Sequence, residues 1–170
     1  LRPNFSQLTK EKILFDFSRP VIITVTRLTT IQKDPITLLK AFLIVKEKFP
    51  QATLLFLGIG PDKERLIKLT EELGIKKDVH FLGFKKNPVA YVKKSDVFVL
   101  SSKSEGLSIV LIEAQACGVP IVATDCPVGP RWVLQDGRVG VLVKIGDEKM
   151  MAEAIIRLVK NKIEAERKVR

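Results

Sequence analysis

The stretch PVIITVTRLTTIQKDPITLLKAFLIVKEKFPQATLLFL, residues 20–57, holds a complete strand, helix and strand pattern. Its two short apolar runs, Val21–Val25 and Thr53–Leu57, predict strands that are buried on both faces. Between them, Asp34 followed by Pro35 predicts a helix start, because Asp caps helix N-termini and Pro fits the first helical position. The apolar positions of that helix share one face: Leu38, Leu39, Phe42 and Val45. Two buried strands joined by a helix predict a parallel βαβ unit.

The rest of the chain repeats this alternation. Further strands are expected at Val79–Leu82, Asp96–Leu100, Ile121–Ala123 and Gly140–Val143. The expected helices are one that ends at Gly74, one that begins after Asn87, one from Ile109 to Cys117 with Ser108 as its N-cap, and one from Asp147 to Val159. This order predicts an α/β protein with a Rossmann-like open parallel sheet of about six strands and helices on both faces.

The composition predicts one globular domain, since 46% of the 170 residues are apolar. We expect an N-terminal extension at residues 1–19, the Rossmann-like domain at 20–160 and a basic C-terminal tail at 161–170. The chain opens on Leu1 rather than Met, so we expect a piece of a longer protein. Neither an apolar run of bilayer length, about 18–20 residues, nor a secretory signal is present, which favours the cytoplasm.

The net charge of +10 is clustered, and it allows several partners. Lysines crowd the middle of the chain and the C-terminal end: Lys76, Lys77, Lys85, Lys86, Lys93, Lys94, Lys160, Lys162 and Lys168. An anionic membrane surface, a phosphorylated ligand or a merely solvated face would all suit them. Nucleic acid is not expected, because the chain has only one Tyr and one Trp for base stacking. With Cys117, Cys126 and a single His80, no metal site or disulfide framework is expected either.

A binding site is expected at the carboxyl ends of the strands, where ligands of open parallel sheets lie. Arg27 and Lys33 follow the first strand, and Gly58 and Gly60 follow the second. A guanidinium and an ammonium near a helix N-terminus suit a pyrophosphate, although any single Lys or Arg is more often an ordinary surface charge. The chain carries neither GxGxxG nor GxxxxGK[ST], so nicotinamide and P-loop chemistry are not supported.

Two carboxylates, Glu105 and Glu113, stand before and inside the helix that begins at Ile109. Glu113 interrupts an apolar run, so it needs a partner: a salt bridge to a neighbouring cation, or hydroxyl groups of a ligand. Carboxylates accept hydrogen bonds from vicinal diols, which would suit a sugar on either side of a phosphate site.

The segment from Glu105 to Ala114, EGLSIVLIEA, resembles the EX7E motif of family 4 retaining glycosyltransferases, and GVPIVA follows it at Gly118 as in that family. The resemblance extends in order from about Pro20 to Val159. It includes Val25–Leu28 with Lys33 beyond, Leu57–Pro61, Val79–Gly83, Asp96–Ser101 and Asp136–Val143.

The resemblance implies the C-terminal, donor-binding half of a GT-B enzyme, whose N-terminal half holds the acceptor. Such an enzyme moves a sugar from a UDP- or GDP-sugar to a glycan or lipid-linked acceptor, and the isolated half would be inactive. By the same resemblance Glu105, Arg27 and Lys33 are the catalytic residues, the last two on the diphosphate and Glu105 on the sugar. The implied donor-binding residues are Gly60, Phe84, Lys85, Gly106, Leu107, Ser108, Ile109 and Glu113, the last holding the ribose. No metal or other cofactor is implied.

The chain departs from the family pattern at Thr26, where Gly is usual, and at Trp132, where Glu is frequent. Thr26 would crowd the donor phosphate, and Trp132 removes a carboxylate. The full enzyme would lie in the cytoplasm, with the inner face of the membrane as an open alternative. The competing class is a non-catalytic, flavodoxin-like nucleotide-binding module, or a basic module that binds nucleic acid.

Overall fold

The computed structural model describes residues 15–168, with side chains through residue 162. Its strands are β1 Val21–Val25, β2 Thr53–Leu57, β3 Val79–Gly83, β4 Val97–Leu100, β5 Ile121–Thr124 and β6 Val141–Val143. Its α-helices are α1 Pro35–Lys48, α2 Lys63–Glu72, α3 Pro88–Val92, α4 Ile109–Ala116, α5 Pro130–Val133 and α6 Glu148–Lys168. Single 3₁₀ turns lie at Lys76–Asp78 and Gln135–Gly137.

The six strands form one sheet in the order β3-β2-β1-β4-β5-β6, and every neighbouring pair is parallel. The chain winds outward from β1 to β3, returns to the other side of β1 with β4, and then winds outward again to β6. The predicted Rossmann-like α/β fold is therefore confirmed. The reversal between β1 and β4 is the switch point at which ligands of such sheets bind.

Alternate side chains of the central strands enter two separate cores, one on each face of the sheet. Ile22 packs with the inner sides of α1, α2 and α6, whereas Val21 and Ile23 pack with α3, α4 and α5. Strands that are apolar on both faces need this double cover, which explains why β1 and β2 are continuous apolar runs. Helices on both faces were expected and are observed.

The helix starts differ in detail from the sequence prediction. Asp34 precedes α1 as expected, but its left-handed conformation leaves its side chain without a capping bond, and its carboxylate accepts from the Thr37 hydroxyl at 2.8 Å instead. The predicted cap at Asn87 is confirmed, since its side chain accepts from the Ala90 amide at 3.3 Å. Cap residues thus locate a helix start more securely than they fix the bond that is made there.

Asp96 lies outside strand β4, contrary to the expected strand Asp96–Leu100. Its carboxylate accepts from the Val21 amide at 2.7 Å and pairs with the side chains of Arg19 at 2.8 Å and Lys162 at 2.7 Å. The acid therefore joins the amino ends of β1 and β4 to helix α6.

Helix α6 is longer than predicted: it continues beyond Val159 to Lys168, into the range 161–170 that was expected to be a tail. The apolar periodicity stops near Val159, but Lys, Glu, Ala and Arg are good helix formers, so helix propensity explains the added turns. The last two residues of the expected tail lie outside the described part of the chain.

Residues 1–14 of the expected N-terminal extension also lie outside the described residues. Its remaining part packs on the domain: the rings of Phe15 and Phe17 contact each other edge to face, with centroids 5.2 Å apart. Phe15 also lies 6.3 Å from the Tyr91 ring, and Phe17 lies 5.1 Å from the His80 ring. The described end of the expected N-terminal extension therefore packs against the domain.

Candidate functional site

A cleft of about 790 Å³ opens at the carboxyl ends of β1 and β2, beside the switch point. Its lining includes Arg27, Gly58 and Gly60, which were predicted to face a site at this edge, and one residue of α4, Val110. The other lining residues are Val25, Thr26, Leu57, Ile59 and Pro61. Thr26, the departure from the family pattern, thus forms part of the wall.

Close approach of two backbones explains the glycines in this cleft. A Cβ atom on Gly58 would lie 2.0 Å from the Thr26 carbonyl oxygen, and one on Gly60 would lie 2.2 Å from that of Leu28. The loops after β1 and β2 continue to hydrogen bond past the strand ends, from the Thr26 amide to Leu57 at 2.9 Å and from the Leu28 amide to Ile59 at 3.0 Å. The glycines therefore serve this contact first, and they leave backbone rather than side chains at the cleft wall.

Lys33 and Glu105, which are 72 positions apart, form an ion pair of 2.7 Å between Nζ and Oε1. The pair is largely shielded from solvent, with side-chain exposures of 19% for Lys33 and 9% for Glu105. Neither residue lines the cleft itself, but the loop that carries Lys33 also carries Arg27. The structure thus brings two of the predicted residues into direct contact.

Ser102, which the sequence analysis did not single out, is a third member of this group. Its hydroxyl donates to the same Oε1 of Glu105 at 2.5 Å, and its side chain is fully buried. Its carbonyl accepts from the hydroxyl of Thr124, which lies at the end of β5. Serine is common in loops for many reasons, so the sequence alone does not indicate this role. It becomes visible only where the structure brings the loop of Lys33, the loop of Ser102 and Glu105, and the end of β5 together.

Arg27 is exposed, and within residues 15–168 its side chain makes no hydrogen bond or ion pair. A guanidinium without an internal partner at the wall of a cleft is available to an anionic ligand. The two predicted cations therefore differ in their surroundings: Lys33 pairs with Glu105, whereas Arg27 has no internal partner among the described residues.

The N-terminus of α4 points out of the same edge. The expected capping bond from Ser108 is not formed; its hydroxyl is buried and has no partner among the described residues. The Ser108 carbonyl accepts from the Leu111 amide at 3.0 Å, while Leu107 and Ile109 on either side are exposed. Gly106 lies against Gly129, where a Cβ atom would be 2.1 Å from the Gly106 carbonyl oxygen.

The remaining predicted residues lie around this edge without contacting the ion pair. Glu113 is half-buried and, within the described residues, has no hydrogen bond or ion pair, so the salt bridge offered as its alternative role is not formed. Phe84 is 70% exposed, and Lys85 places Nζ 5.8 Å from the centroid of the Tyr91 ring. Trp132, the second departure from the family pattern, is 75% exposed on α5.

Two titratable groups near the site have shifted pKa values. Burial raises the pKa of the Cys126 thiol, and the neighbouring Glu105 charge raises it further. The amide and hydroxyl of Thr30 donate to Asp62 at 2.6 and 3.0 Å, and these bonds lower the pKa of that carboxyl. Asp62 thereby ties the loop after β1 to the start of α2.

Within residues 15–168, no group of three or more His, Cys, Asp or Glu side chains could hold a metal ion. In the same part of the chain, no helix is both long enough and apolar enough to cross a membrane.

Residues 6–170 match the family model described as "Glycosyl transferases group 1". The match spans nearly the whole chain, and the fold is that of the GT-B glycosyltransferases. This chain belongs to the group 1 glycosyltransferase family.

A curated relative from Methanocaldococcus jannaschii, an uncharacterized glycosyltransferase, is 34% identical over an alignment 170 positions long, which covers 83% of this chain and 42% of the relative. TarM of S. aureus, solved with UDP, superposes with a TM-score of 0.80 at 24% identity, covering 89% of this chain and 31% of TarM. HepE of Anabaena, also solved with UDP, gives a TM-score of 0.77 at 24% identity, covering 84% of this chain and 40% of HepE. The chain thus spans less than half the length of each of these proteins.

Proposed function

We propose that this chain is the C-terminal, donor-binding domain of a family 4 retaining glycosyltransferase. In the full enzyme it would hold a UDP- or GDP-sugar, whose sugar moves to a glycan or lipid-linked acceptor in polysaccharide or glycoconjugate synthesis. By the resemblance, the acceptor would lie on an N-terminal domain, and the chain spans 42% of its relative from M. jannaschii. The proposed domain is 20–160, and residues 15–19 pack against it.

The observation that carries this proposal is the arrangement of charges around the edge of the sheet. Arg27 lines the cleft without an internal partner among the described residues, and Lys33, on the same loop, pairs with Glu105 on the loop before α4. An unpaired guanidinium next to a helix N-terminus suits a diphosphate, and a carboxylate beside it suits sugar hydroxyls. A non-catalytic nucleotide-binding module would need the guanidinium, but it would not need a carboxylate for sugar hydroxyls.

The roles that we propose for the site residues are those that the resemblance implies, and their positions support them. Arg27 and Lys33 bind the diphosphate, and Gly60 lets the nucleotide approach the backbone. Gly106, Leu107, Ser108 and Ile109 meet the sugar and phosphate at the start of α4, where the Ser108 hydroxyl is still unpaired among the described residues. Glu113 holds the ribose hydroxyls with its unengaged carboxylate, and the exposed Phe84 and the neighbouring Lys85 lie nearest the base.

We propose a supporting role for Glu105 in the retaining reaction rather than a nucleophilic one. Its Oε1 accepts from both Lys33 and Ser102, and each donor draws electron density from the carboxylate. Such a group is better suited to orienting the sugar than to attacking the anomeric carbon. The leaving diphosphate would be stabilised by cationic side chains and the helix N-terminus, without a metal ion.

Thermal denaturation with nucleotides tests the proposal. A ligand that binds only the folded state at 100 times its Kd adds about 2.7 kcal/mol to the free energy of unfolding. We expect millimolar UDP or GDP to raise the Tm, and ADP to have less effect. The shift should shrink for Arg27→Ala but not for Arg157→Ala, which removes an exposed arginine of α6 outside the cleft.

Two results would contradict the donor-site proposal. One is the absence of any Tm shift with UDP, GDP and ADP. The other is a larger stabilisation by a duplex oligonucleotide than by any of the nucleotides, which would support the nucleic-acid-binding alternative.

A further inference from the structure

The carboxylate of Glu105 is held asymmetrically. Both of its internal donors, the Lys33 ammonium at 2.7 Å and the Ser102 hydroxyl at 2.5 Å, bind Oε1. Within residues 15–168, Oε2 accepts no hydrogen bond, and it is not among the buried side-chain atoms that lack a partner. One oxygen is therefore saturated from inside the protein, and the other is left to solvent or a ligand.

Ser102 can do little except orient this carboxylate. Its side chain is fully buried, so its hydroxyl has no access to water, and an ionised carboxylate only accepts hydrogen bonds. The backbone of Ser102 is itself anchored, because its carbonyl accepts from Thr124, a fully buried residue at the end of β5. The donor thus has a fixed position relative to the sheet.

The partner loop is fixed in the same way. The Ser101 hydroxyl donates to the backbone carbonyl of Lys33 at 2.9 Å, and the Lys103 amide donates to the carbonyl of Gln32 at 2.8 Å. The loop before α4 and the loop before α1 are therefore joined by these two hydrogen bonds, by the ion pair, and by the Lys103 ammonium, which lies 3.8 Å from the Asp34 carboxylate and donates to the Thr30 carbonyl at 3.4 Å. The pair can only keep its geometry while these loops stay together.

We propose that Ser102 is a positioning residue: it fixes the rotation of the Glu105 carboxylate so that Oε2 faces the sugar of the donor. This inference rests on the proposed donor-binding function, and it adds a residue that acts on the sugar only through Glu105. Without the Ser102 hydroxyl, Oε1 keeps a single donor on a flexible lysine, and the carboxylate is free to rotate.

The test compares two variants that each remove one buried serine hydroxyl. Ser102→Ala removes the proposed positioning group, whereas Ser95→Ala removes a hydroxyl that donates to the Tyr91 carbonyl at 2.9 Å at the opposite edge of the sheet. Calorimetry would measure binding of UDP and UDP-glucose, with GDP and GDP-mannose in parallel. For Ser102→Ala we expect the nucleotide sugar to bind about tenfold more weakly and the nucleoside diphosphate to change less than about twofold. Ser95→Ala should change neither.

A double-mutant cycle separates positioning from a general structural effect. If Ser102 acts only through Glu105, then Ser102→Ala in a Glu105→Gln background should have no further effect on binding of the nucleotide sugar. Additive losses in that background, or equal losses for the sugar and the plain diphosphate in the single variant, would overturn the proposal.

A readout without ligand keeps the inference distinct from the proposed function. If the wild-type chain binds none of the four nucleotides, the donor-site proposal fails. Thiol labelling then tests, without a ligand, whether Ser102 holds the loops around Glu105 together. Cys126 is 1% exposed and lies beside Glu105, so in a Cys117→Ser background its labelling reports opening of this region. Ser102→Ala should label several times faster than Ser95→Ala; equal rates would overturn the positioning role.

Discussion

At the scale of single residues, the site separates two acids that look alike in the sequence. Glu105 is 9% exposed and bound by Lys33 and Ser102, whereas Glu113 is half-buried and has no internal partner among the described residues. Both carboxylate oxygens of Glu113 can accept hydrogen bonds from the two hydroxyls of a diol. In Glu105 one oxygen already accepts two internal bonds, so only the other is left for a ligand. Their contributions to binding should therefore differ.

Glu113→Gln should weaken binding of UDP or GDP by about tenfold or more, because hydrogen bonds to a charged group are worth about 1.5–3 kcal/mol. Glu105→Gln should leave the plain diphosphate almost unchanged and act mainly on the nucleotide sugar. Isothermal calorimetry on both variants with both ligands measures this. Equal losses of UDP or GDP affinity in the two variants would contradict the assigned roles.

The close backbone contact at Gly60 leads to a prediction about the free energy of unfolding rather than about ligand binding. A Cβ atom there would lie 2.2 Å from the Leu28 carbonyl oxygen, so Gly60→Ala forces two backbones apart and should lower the free energy of unfolding by about 3 kcal/mol. Gly106→Ala is the matched control, since a Cβ atom on Gly106 meets nothing within 4 Å. Urea denaturation should show a change of less than about 0.5 kcal/mol for the control. Similar values for the two variants would mean that the loops move apart easily.

At the scale of secondary-structure elements, the sequence predicted strands better than it predicted their contacts. The bounds of β1 and β2 were predicted correctly because strands of a sheet that is covered on both faces are continuous apolar runs, and turn residues mark where each run ends. The end of α6 was missed because its last turns have helix propensity but no apolar pattern. The bond from Lys33 to Glu105 spans 72 positions, and no local pattern encodes which of two nearby cations meets the acid.

Asp96 connects elements at the opposite edge of the sheet, and its loss should be costly. The acid accepts from the Val21 amide and pairs with Arg19 and Lys162, while its own side chain is only 9% exposed. Asp96→Ala leaves a buried amide and two cations without their partner, so we expect a loss of about 3–5 kcal/mol in the free energy of unfolding. The control Glu71→Ala breaks an exposed pair with Lys76 and should cost less than about 1 kcal/mol. Chemical denaturation measures both; a small effect of Asp96→Ala would show that α6 is held by its apolar face alone.

At the scale of the whole molecule, the proposed function gives this sheet one of the two reactants of a sugar transfer, the donor. The proposed donor site lies at one edge, and the chain spans less than half the length of the relatives described above. Holding two reactants in the correct geometry supplies much of the rate of a bimolecular reaction. The apolar side chains exposed around the site, Leu107, Ile109, Val128 and Trp132, fit the same view, because a second domain would cover part of this edge.

The purified 170-residue chain should therefore bind a nucleotide sugar yet transfer no sugar to glycan or lipid acceptors. Calorimetry establishes the binding, and a radiolabelled donor with a panel of acceptors measures transfer. If the inactive chain gains transfer activity when it is joined to the N-terminal domain of a relative, this would support the proposal that donor and acceptor are held by different domains. Robust transfer by the chain alone would refute it.

The hydrogen bonds that continue past the ends of β1 and β2 have one more consequence. They join the Thr26 and Leu28 amides to the neighbouring loop, so the wall of the cleft is an extension of the sheet rather than a pair of independent loops. A wall of this kind is already ordered before any ligand arrives, and little conformational entropy is lost there on association. This wall should therefore keep the same backbone conformation when a ligand binds. Any ordering that accompanies binding should be found on the other side of the cleft, at the exposed start of α4.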